Sequence, residues 1–240
     1  MRPVHWWREA LGTHCGDMTN TLHSSPVSTL LAHLFADARK TDAAVLAPFR
    51  SLSPEALSKA LHQDYRTFYA NVADAYLPVS QELGRLLYAL TRARRARTVV
   101  EFGTSFGIST LHLAAALRDG GGGRLITTEF EPAKVRRARE HLTTAGLVDL
   151  VEFREGDALD TLRTDVPDGI DLVLFDGAKP LYLPLLRLLE PRLGPGAILV
   201  ADNVRMSPEF AAHLARPEHG YVTVPLPWED DDCLLAVRTA

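Results

Sequence analysis

A short turn with two glycines follows the first strongly apolar strand of the chain, and its spacing is typical of a ligand-binding loop. Residues 98–102 are apolar except at the first position and at Glu101. Gly103 and Gly107 follow, before a helix that begins near Ile108. Glycine lets the backbone bend tightly and approach a ligand closely, and the helix N-terminus beyond it offers unpaired N–H groups. The Gly-x-x-x-Gly spacing differs from the Gly-x-Gly-x-x-Gly of dinucleotide sites, which disfavours a nicotinamide cofactor.

Acidic residues follow the later predicted strands, at the edge of a parallel sheet where ligands bind. Glu129 lies about 20 residues after the glycine turn, where a carboxylate binds the ribose hydroxyls of an adenosine group. The alternative is an acid at a helix start. Asp157 is placed to accept a hydrogen bond from an adenine amino group, and an ordinary turn into a helix explains it equally well. Asp176 and the pair Asp202-Asn203 end the next two strands. Any one of them alone suits a helix N-cap, but together they indicate a ligand site.

These residues occur in the order and spacing of a known family. The matching positions are Glu101-x-Gly103-x-x-x-Gly107-x-Ser109, Glu129, Gly156-Asp157-Ala158, Asp176-x-x-Lys179-x-x-Tyr182 and Asp202-Asn203-Val204. From roughly Leu77 to Ala240 the chain resembles the small class I S-adenosylmethionine methyltransferases. More narrowly, it resembles the cation-dependent O-methyltransferases, the group that includes catechol O-methyltransferase and the caffeoyl-CoA O-methyltransferases.

The resemblance implies methyl transfer from S-adenosylmethionine to a hydroxyl of a small acceptor with vicinal oxygens, such as a catechol or another aromatic diol. The residues that it implies for binding S-adenosylmethionine are Val79, Glu101, Gly103, Ser105, Gly107, Ser109, Glu129, Asp157, Ala158 and Asp176. For a Mg²⁺ ion it implies Asp176, Asp202 and Asn203, whose oxygens suit a hard divalent cation. The ion would lower the pKa of a bound hydroxyl and orient it.

Lys179 falls where the family has its general base, so Lys179 and Asp176 are the expected catalytic residues. A helix start and a nearby cation would both lower the pKa of a lysine, as a base near neutral pH requires. The alternative is an exposed lysine without a catalytic role. Two other functions stay open: a metal-independent methyltransferase, in which the acids are caps or hydrogen-bond partners, and a non-catalytic module that binds S-adenosylmethionine.

The chain departs from the family in the turn before its last strand. The family commonly has Gly-Asp-Gly-Leu there, whereas this chain has Trp228-Glu229-Asp230-Asp231-Asp232-Cys233-Leu234. The acidic run Glu229–Asp232 is interpreted as a solvated hairpin tip. Trp228 either packs on a planar substrate or covers the edge of the sheet.

Strand and helix patterns alternate after Arg97, which predicts an α/β fold with a Rossmann-like, doubly wound sheet. The predicted strands lie near 98–103, 124–130, 151–156, 170–176, 196–202, 221–226 and 233–238. The predicted helices cover 108–118, 132–145, 158–164, 181–192 and 208–215. No helix separates the last two strands, so we expect a seven-stranded, mostly parallel sheet with an antiparallel edge hairpin. The expected organisation is a poorly ordered leader (1–24), a helical N-terminal cap (25–97) and an S-adenosylmethionine-binding methyltransferase domain (98–240).

The composition of the chain excludes some classes of binding partner. The net charge of −4 and pI near 6.1 give no basic face, so nucleic acid is not an expected partner, and the cluster Arg92–Arg97 is interpreted as a solvated helix end. Cys15 and Cys233 have no neighbours at metal-binding spacing, which fits a reducing cytoplasm. No apolar run reaches the roughly 20 residues that span a bilayer. We therefore expect a cytoplasmic protein without a membrane partner. The family resemblance and the amphipathic helices before Arg97 are compatible with a homodimer.

Overall fold

The computed structural model describes residues 20–49, 51–227 and 232–239. Helices form the N-terminal part of this chain: α1 (Val27–Val45), α2 (Pro54–Gln63), α3 (Tyr65–Asn71) and α4 (Gln81–Arg94). The side chains of Ser53, Asp64 and Ser80 each accept a hydrogen bond from a backbone N–H in the first turn of α2, α3 and α4. Such caps satisfy donors that a helix start leaves unpaired, so they fix where these helices begin.

The described residues form one seven-stranded sheet. Its strands are β1 (Thr98–Phe102), β2 (Arg124–Glu129), β3 (Val151–Glu155), β4 (Ile170–Phe175), β5 (Leu193–Ala201), β6 (Tyr221–Pro227) and β7 (Asp232–Arg238). The spatial order is β3-β2-β1-β4-β5-β7-β6. Strands β1 to β5 are parallel, and β7 is antiparallel to both β5 and β6. The predicted Rossmann-like sheet with an antiparallel edge hairpin is therefore confirmed.

The helices that follow β1 to β5 are α5 (Ile108–Asp119), α6 (Pro132–Thr144), α7 (Ala158–Thr161), α8 (Tyr182–Leu189) and α9 (Pro208–Leu214). Two of them, α7 and α8, are shorter than predicted by more than one residue. The helix expected over 158–164 ends at Thr161, and the helix expected over 181–192 is regular only over α8. A 3₁₀ turn, Glu190–Arg192, replaces its end because Pro191 has no N–H to continue the α-helical pattern.

Strand β5 begins three residues earlier than the predicted 196–202. Its first residues, Leu193 to Gly196, include two glycines and a proline, residue types that are uncommon inside strands. The register between β4 and β5 shifts here, from Ile170 opposite Leu193 to Leu172 opposite Ile198. Strand β5 therefore has more residues than β4 between these two pairs, as in a β-bulge.

Apolar side chains bury both faces of the sheet. On one face, strand residues such as Val99 and Leu172 pack with helices α1, α4, α5 and α6. On the other face, Val100 and Val173 pack with α8 and α9. Neighbouring residues of β1 and β4 thus belong to opposite cores, as expected for a parallel sheet covered on both sides.

Helices α1 and α4 are part of the first core, whereas Tyr65 and Tyr69 of α3 pack against the second. The chain before α1 is attached to the first core. Leu22 is buried, and Thr21 donates backbone and hydroxyl hydrogen bonds to Asp119 at the end of α5. Residues 1–19 of the expected leader, with Cys15, lie outside the described residues, as do Trp228 and residues 229–231 of the acidic turn. Within the described ranges, no helix combines the length and the apolar composition needed to cross a bilayer.

Candidate functional site

A cleft opens where the carboxyl ends of β1 to β4 meet the N-terminal helices. The empty space in and in front of the cleft, open solvent included, is about 940 Å³. The sequence-predicted residues that line it are Val79, Gly103, Ser105, Ser109, Glu129, Asp157, Ala158 and Asp176. Glu101 and Gly107 lie behind this wall rather than in it, and so do Lys179, Asp202 and Asn203. One cleft therefore brings together most of the residues expected for the cofactor.

The glycine loop is held tightly against the neighbouring strand ends. Gly103 has a φ of +104°, and a Cβ there would lie 2.7 Å from the carbonyl carbon of Asp176 and closer still to its oxygen. The backbone N–H groups of Gly103 and Thr104 both donate to the carbonyl of Thr128. Only a residue without a side chain fits at this point, because the backbone of Asp176 lies so close. The close approach of the loop to a ligand stays a prediction.

Glu129 joins the glycine loop to the start of α6. One carboxylate oxygen, Oε2, accepts from the backbone N–H of Ser105 at 2.8 Å, and Oε1 accepts from the N–H of Glu131 at 2.9 Å. A carboxylate oxygen has two lone pairs, so each can still accept a further hydrogen bond from the cleft. This geometry is compatible with binding of vicinal hydroxyls. It is also compatible with the alternative of an acid at a helix start, because Glu131 is the N-cap residue of α6.

Glu101 is fully buried beneath the loop. Its Oε2 accepts from the hydroxyls of Thr110 and Thr127, both at 2.6 Å. The Ser109 hydroxyl is near enough to lower the pKa of this carboxylate, but Oε1 has no partner in good hydrogen-bond geometry among the described residues. Burial raises the pKa of Glu101 against the effect of these hydrogen bonds. A buried acceptor without a partner beneath the glycine loop fits a ligand that brings a donor, such as the amino group of S-adenosylmethionine.

Helix α3 covers the cleft on the side of Asp157, which the sequence did not indicate. The Asp157 carboxylate caps α7 by accepting from the N–H of Leu159 at 3.0 Å. It also accepts from Arg66 at 2.6 Å and from the hydroxyl of Tyr65 at 3.3 Å. Partial burial raises the pKa of Asp157, but the hydrogen bonds from Arg66 and Leu159 outweigh it and lower the pKa below its usual value. Both proposed explanations of Asp157, a cap and an acceptor in the cleft, are therefore compatible with its position.

A buried charged group lies beside the cleft at the ends of β4 and β5. The Nζ of Lys179 donates to the hydroxyl of Tyr182 at 2.9 Å and lies 3.5 Å from Asp176 Oδ1. The Tyr182 hydroxyl is in turn 2.7 Å from the carbonyl of Phe175 and 2.9 Å from that of Asp202. The tyrosine thus ties the two strand ends together, and Lys179 is only 5% exposed. The alternative of an exposed lysine is wrong.

The pKa of Lys179 differs from the sequence-based expectation. Burial alone lowers the pKa of this ammonium, but neighbouring Tyr182 and Asp176 outweigh burial and raise it well above its usual value. Asp176, three positions earlier, lies close enough to favour the charged lysine. The expected lowering assumed a nearby cation, so it stays a prediction for the protein with a cation bound.

The candidate metal ligands combine two carboxylates and one amide. Asp202 Oδ1 accepts from the N–H of Asn203 at 2.8 Å and from the Cys233 thiol at 3.2 Å, and Asn203 adopts a left-handed conformation with φ +47°. Burial raises the pKa of Asp176 well above its usual range, Lys179 opposes this, and Asp202 raises the pKa further. Two buried carboxylates beside one ammonium leave an excess of negative charge. Oxygen donors with such an excess fit Mg²⁺. In the described ranges, no three His, Cys, Asp or Glu side chains are arranged to hold a metal ion.

Comparisons of sequence point to one family. Residues 100–204 match the family model described as a methyltransferase domain. Over 140 residues the chain is 35% identical to a catechol O-methyltransferase of Niastella koreensis, and the match covers 56% of this chain and 62% of that protein. Over 128 residues it is 38% identical to a catechol O-methyltransferase of Mycobacterium tuberculosis, covering 53% and 57%. These matches span less than two thirds of the relatives' own length.

A comparison with solved structures also finds an O-methyltransferase. The structure of the O-methyltransferase TomG from Streptomyces achromogenes, involved in tomaymycin synthesis and in complex with S-adenosylmethionine, is similar with a TM-score of 0.62 and 28% identity. The similarity covers 80% of this chain and 93% of that one. Together with the cleft at the ends of β1 to β4, these similarities confirm the resemblance seen in the sequence. The chain is thus similar in sequence to a methyltransferase domain and to catechol O-methyltransferases, and in fold to an O-methyltransferase that binds S-adenosylmethionine.

Proposed function

We propose that this protein transfers the methyl group of S-adenosylmethionine to a hydroxyl of a small acceptor with two vicinal oxygens, such as a catechol. The observation that carries the proposal is the contact between two parts of the site. A cleft lined by the glycine loop and Glu129 meets, at Asp176, a buried group that contains Lys179 and Asp202. A donor molecule and an acceptor oxygen can meet only where two such subsites adjoin.

In this proposal the cofactor lies along the ends of β1, β2 and β3. Glu129 binds the ribose hydroxyls, and the backbone of the loop from Gly103 approaches the methionine part. The unpaired Oε1 of Glu101 accepts from the cofactor's amino group, or from a water that it holds. The Arg66 and Tyr65 contacts on Asp157 then set one condition: an adenine amino group must share that carboxylate with α3.

The acceptor lies at the ends of β4 and β5 in this proposal. Asp176, Asp202 and Asn203 hold a divalent cation, for which their oxygen atoms and excess negative charge are suited. When bound, such a cation lowers the pKa of a hydroxyl and orients it, and that is the chemistry it supplies. The names of the catechol O-methyltransferases among the relatives support the choice of acceptor.

Lys179 is the proposed acceptor of the hydroxyl proton. Its Nζ lies between Asp176 and Tyr182, at the wall that separates the buried group from the cleft. Because its pKa is raised in the chain as described, the side chain has to lose a proton before it can take one from the acceptor. The competing role is that of a fixed positive charge that stabilises the developing oxyanion.

The first experiment is a methyl-transfer assay over catechols, hydroxycinnamates, flavonoids and matched monophenols, each with Mg²⁺ and with a chelator. We expect turnover of the ortho-diphenols only, lost with chelator and restored by added Mg²⁺. Turnover that is unaffected by the chelator would contradict the proposed requirement for a metal ion and would favour a metal-independent methyltransferase. Binding of S-adenosylmethionine without turnover of any acceptor would favour the non-catalytic module.

Two variants of Lys179 separate its possible roles. Lys179→Met removes both the charge and the proton site, whereas Lys179→Arg keeps a charge that cannot be lost near neutral pH. A base predicts that both variants lose turnover while their affinity for S-adenosylhomocysteine stays within about threefold of wild type. Substantial turnover of Lys179→Arg would instead assign Lys179 to charge stabilisation.

A further inference from the structure

One charged side chain in the wall of the cleft has no described partner for its charge. Lys134, in the first turn of α6, is only 6% exposed and lines the cleft. Its Nζ lies 5.4 Å from the centre of the Phe106 ring, a cation–π contact with the glycine loop. Within the described residues, Lys134 makes no hydrogen bond and no ion pair. The sequence did not indicate this position, since Lys134 stands in a run of charged residues typical of an exposed helix face.

An ammonium group in such a place is costly unless something accepts its hydrogen bonds. It has three donors, and a buried charge without hydrogen bonds is strongly disfavoured. Burial lowers the pKa of Lys134, while the charges of Glu129, Asp42, Glu131 and Asp74 oppose this lowering. Glu101 Oε1 is fully enclosed by protein atoms and lacks a partner. The Nζ of Lys134, in contrast, is not fully enclosed. The space that it borders is the cleft.

The surroundings select the kind of acceptor. Four carboxylates act on Lys134 through space, so the region around it has an excess of negative charge. A further anion, such as the carboxylate of a methionine group, is less favoured beside these carboxylates than a neutral group. A neutral hydroxyl oxygen can accept a hydrogen bond from the ammonium without adding negative charge. Glu129, the candidate ribose ligand, also lines the cleft and is joined to the start of α6 through Glu131.

We propose that Lys134 is a further cofactor-binding residue, whose ammonium donates a hydrogen bond to a ribose hydroxyl oxygen of S-adenosylmethionine. Glu129 accepts from the ribose while Lys134 donates to it, so the pair fixes the sugar from both sides. The Phe106 ring and the aliphatic part of the side chain keep the ammonium in the wall of the cleft. The assignment rests on the proposed function, because it requires an adenosyl ligand in this cleft.

The test compares two variants of α6 by calorimetry with S-adenosylhomocysteine. Lys134→Met removes the ammonium and keeps the length of the side chain; the dissociation constant should rise about 10- to 100-fold. Arg137→Met is the matched control, since it removes one positive charge from the same helix, where Arg137 is 56% exposed and pairs with Glu140. That control should change the constant by less than about threefold. Wild-type affinity in Lys134→Met, or equal losses in both variants, overturns the proposal.

A second ligand locates the contact. 5′-Methylthioadenosine contains the ribose and adenine but no carboxylate, so Lys134→Met should lose affinity for it by the same factor as for S-adenosylhomocysteine. A loss confined to S-adenosylhomocysteine would assign Lys134 to the carboxylate and overturn the ribose contact. The 2′- and 3′-deoxy forms refine the result. For one of them, wild type and Lys134→Met should bind equally, because the contacted hydroxyl is missing.

The experiment distinguishes a failure of the Lys134 assignment from a folding defect and from a failure of the proposed function. Lys134 has no hydrogen bond or ion pair to lose among the described residues, only its cation–π contact with Phe106, so Lys134→Met should change the urea midpoint little. Lys134→Gln, which also lacks the charge, provides a second measurement of the same affinity loss. If wild-type protein binds neither ligand, the proposed function fails. If wild type binds and both Lys134 variants bind as tightly, only the Lys134 assignment fails.

Discussion

Replacing Gly103 by alanine tests the close approach of this residue to the backbone of Asp176, on which the proposed cofactor site depends. The φ of Gly103 is +104°, and an added Cβ would lie 2.7 Å from the carbonyl carbon of Asp176. That neighbour is backbone, so it cannot rotate away as a side chain can. The N–H of Asp176 also donates to the carbonyl of Phe102 at 2.8 Å, so relief of the clash strains the contact between β1 and β4.

The expected cost has two parts. An alanine at positive φ costs about 1–2 kcal/mol, and an overpacked contact adds about 1–3 kcal/mol. Gly103→Ala should therefore lower the free energy of unfolding by about 2–5 kcal/mol. Gly146→Ala is the matched control: its φ is +68°, and an added Cβ would have no atom within 4 Å. The control should show only the first part of the cost.

Urea denaturation measures both variants, and calorimetry with S-adenosylhomocysteine measures the site. We expect Gly103→Ala to lose more stability than Gly146→Ala and to lose affinity, whereas Gly146→Ala keeps wild-type affinity. Equal destabilisation by the two changes would show that the backbone of Asp176 does not approach Gly103 as described. Full affinity in a destabilised Gly103→Ala would separate the loop from the cofactor.

Two further predictions concern a buried histidine and the carboxylate at the end of β2. Burial lowers the pKa of His112 to about 4, from a usual value of 6.5, so the unfolded chain takes up a proton that the folded chain does not. The free energy of unfolding should fall by about 2 kcal/mol between about pH 7 and pH 5 on this account, and His112→Asn should show a correspondingly smaller fall in urea titrations; equal slopes would refute it. Glu129→Gln should raise the dissociation constant for S-adenosylhomocysteine about 10- to 100-fold, because an amide donor would face the N–H of Ser105 or Glu131, and an unchanged constant would contradict the ribose assignment.

The sheet and the edge where its ligand residues gather were predictable from the sequence. Apolar runs such as Val99-Val100 and Leu172–Phe175 are buried on both faces, and that continuous pattern indicates a parallel strand without any knowledge of tertiary contacts. The residues that follow each strand then lie at one edge by geometry alone. That is why Glu129, Asp176 and Asp202 were identified together.

Other parts of the site depend on contacts between distant segments. Arg66 meets Asp157 across 91 positions, and no local pattern in α3 indicates that pairing. Lys134 has the sequence context of an exposed residue and is buried only because α6 packs beside the glycine loop. The direction of the Lys179 pKa shift depends on such contacts as well, since it is set by how near Tyr182 and Asp176 lie.

The most direct test of the proposed function is to follow the methyl group itself. Protein is incubated with S-adenosylmethionine labelled with deuterium in the methyl group, Mg²⁺ and a catechol, with a monophenol in parallel, and products are analysed by mass spectrometry. We predict that the label appears on one oxygen of the catechol, with an equal amount of S-adenosylhomocysteine, and that the monophenol stays unlabelled. Tight binding of the cofactor with no label on any acceptor oxygen would contradict the account.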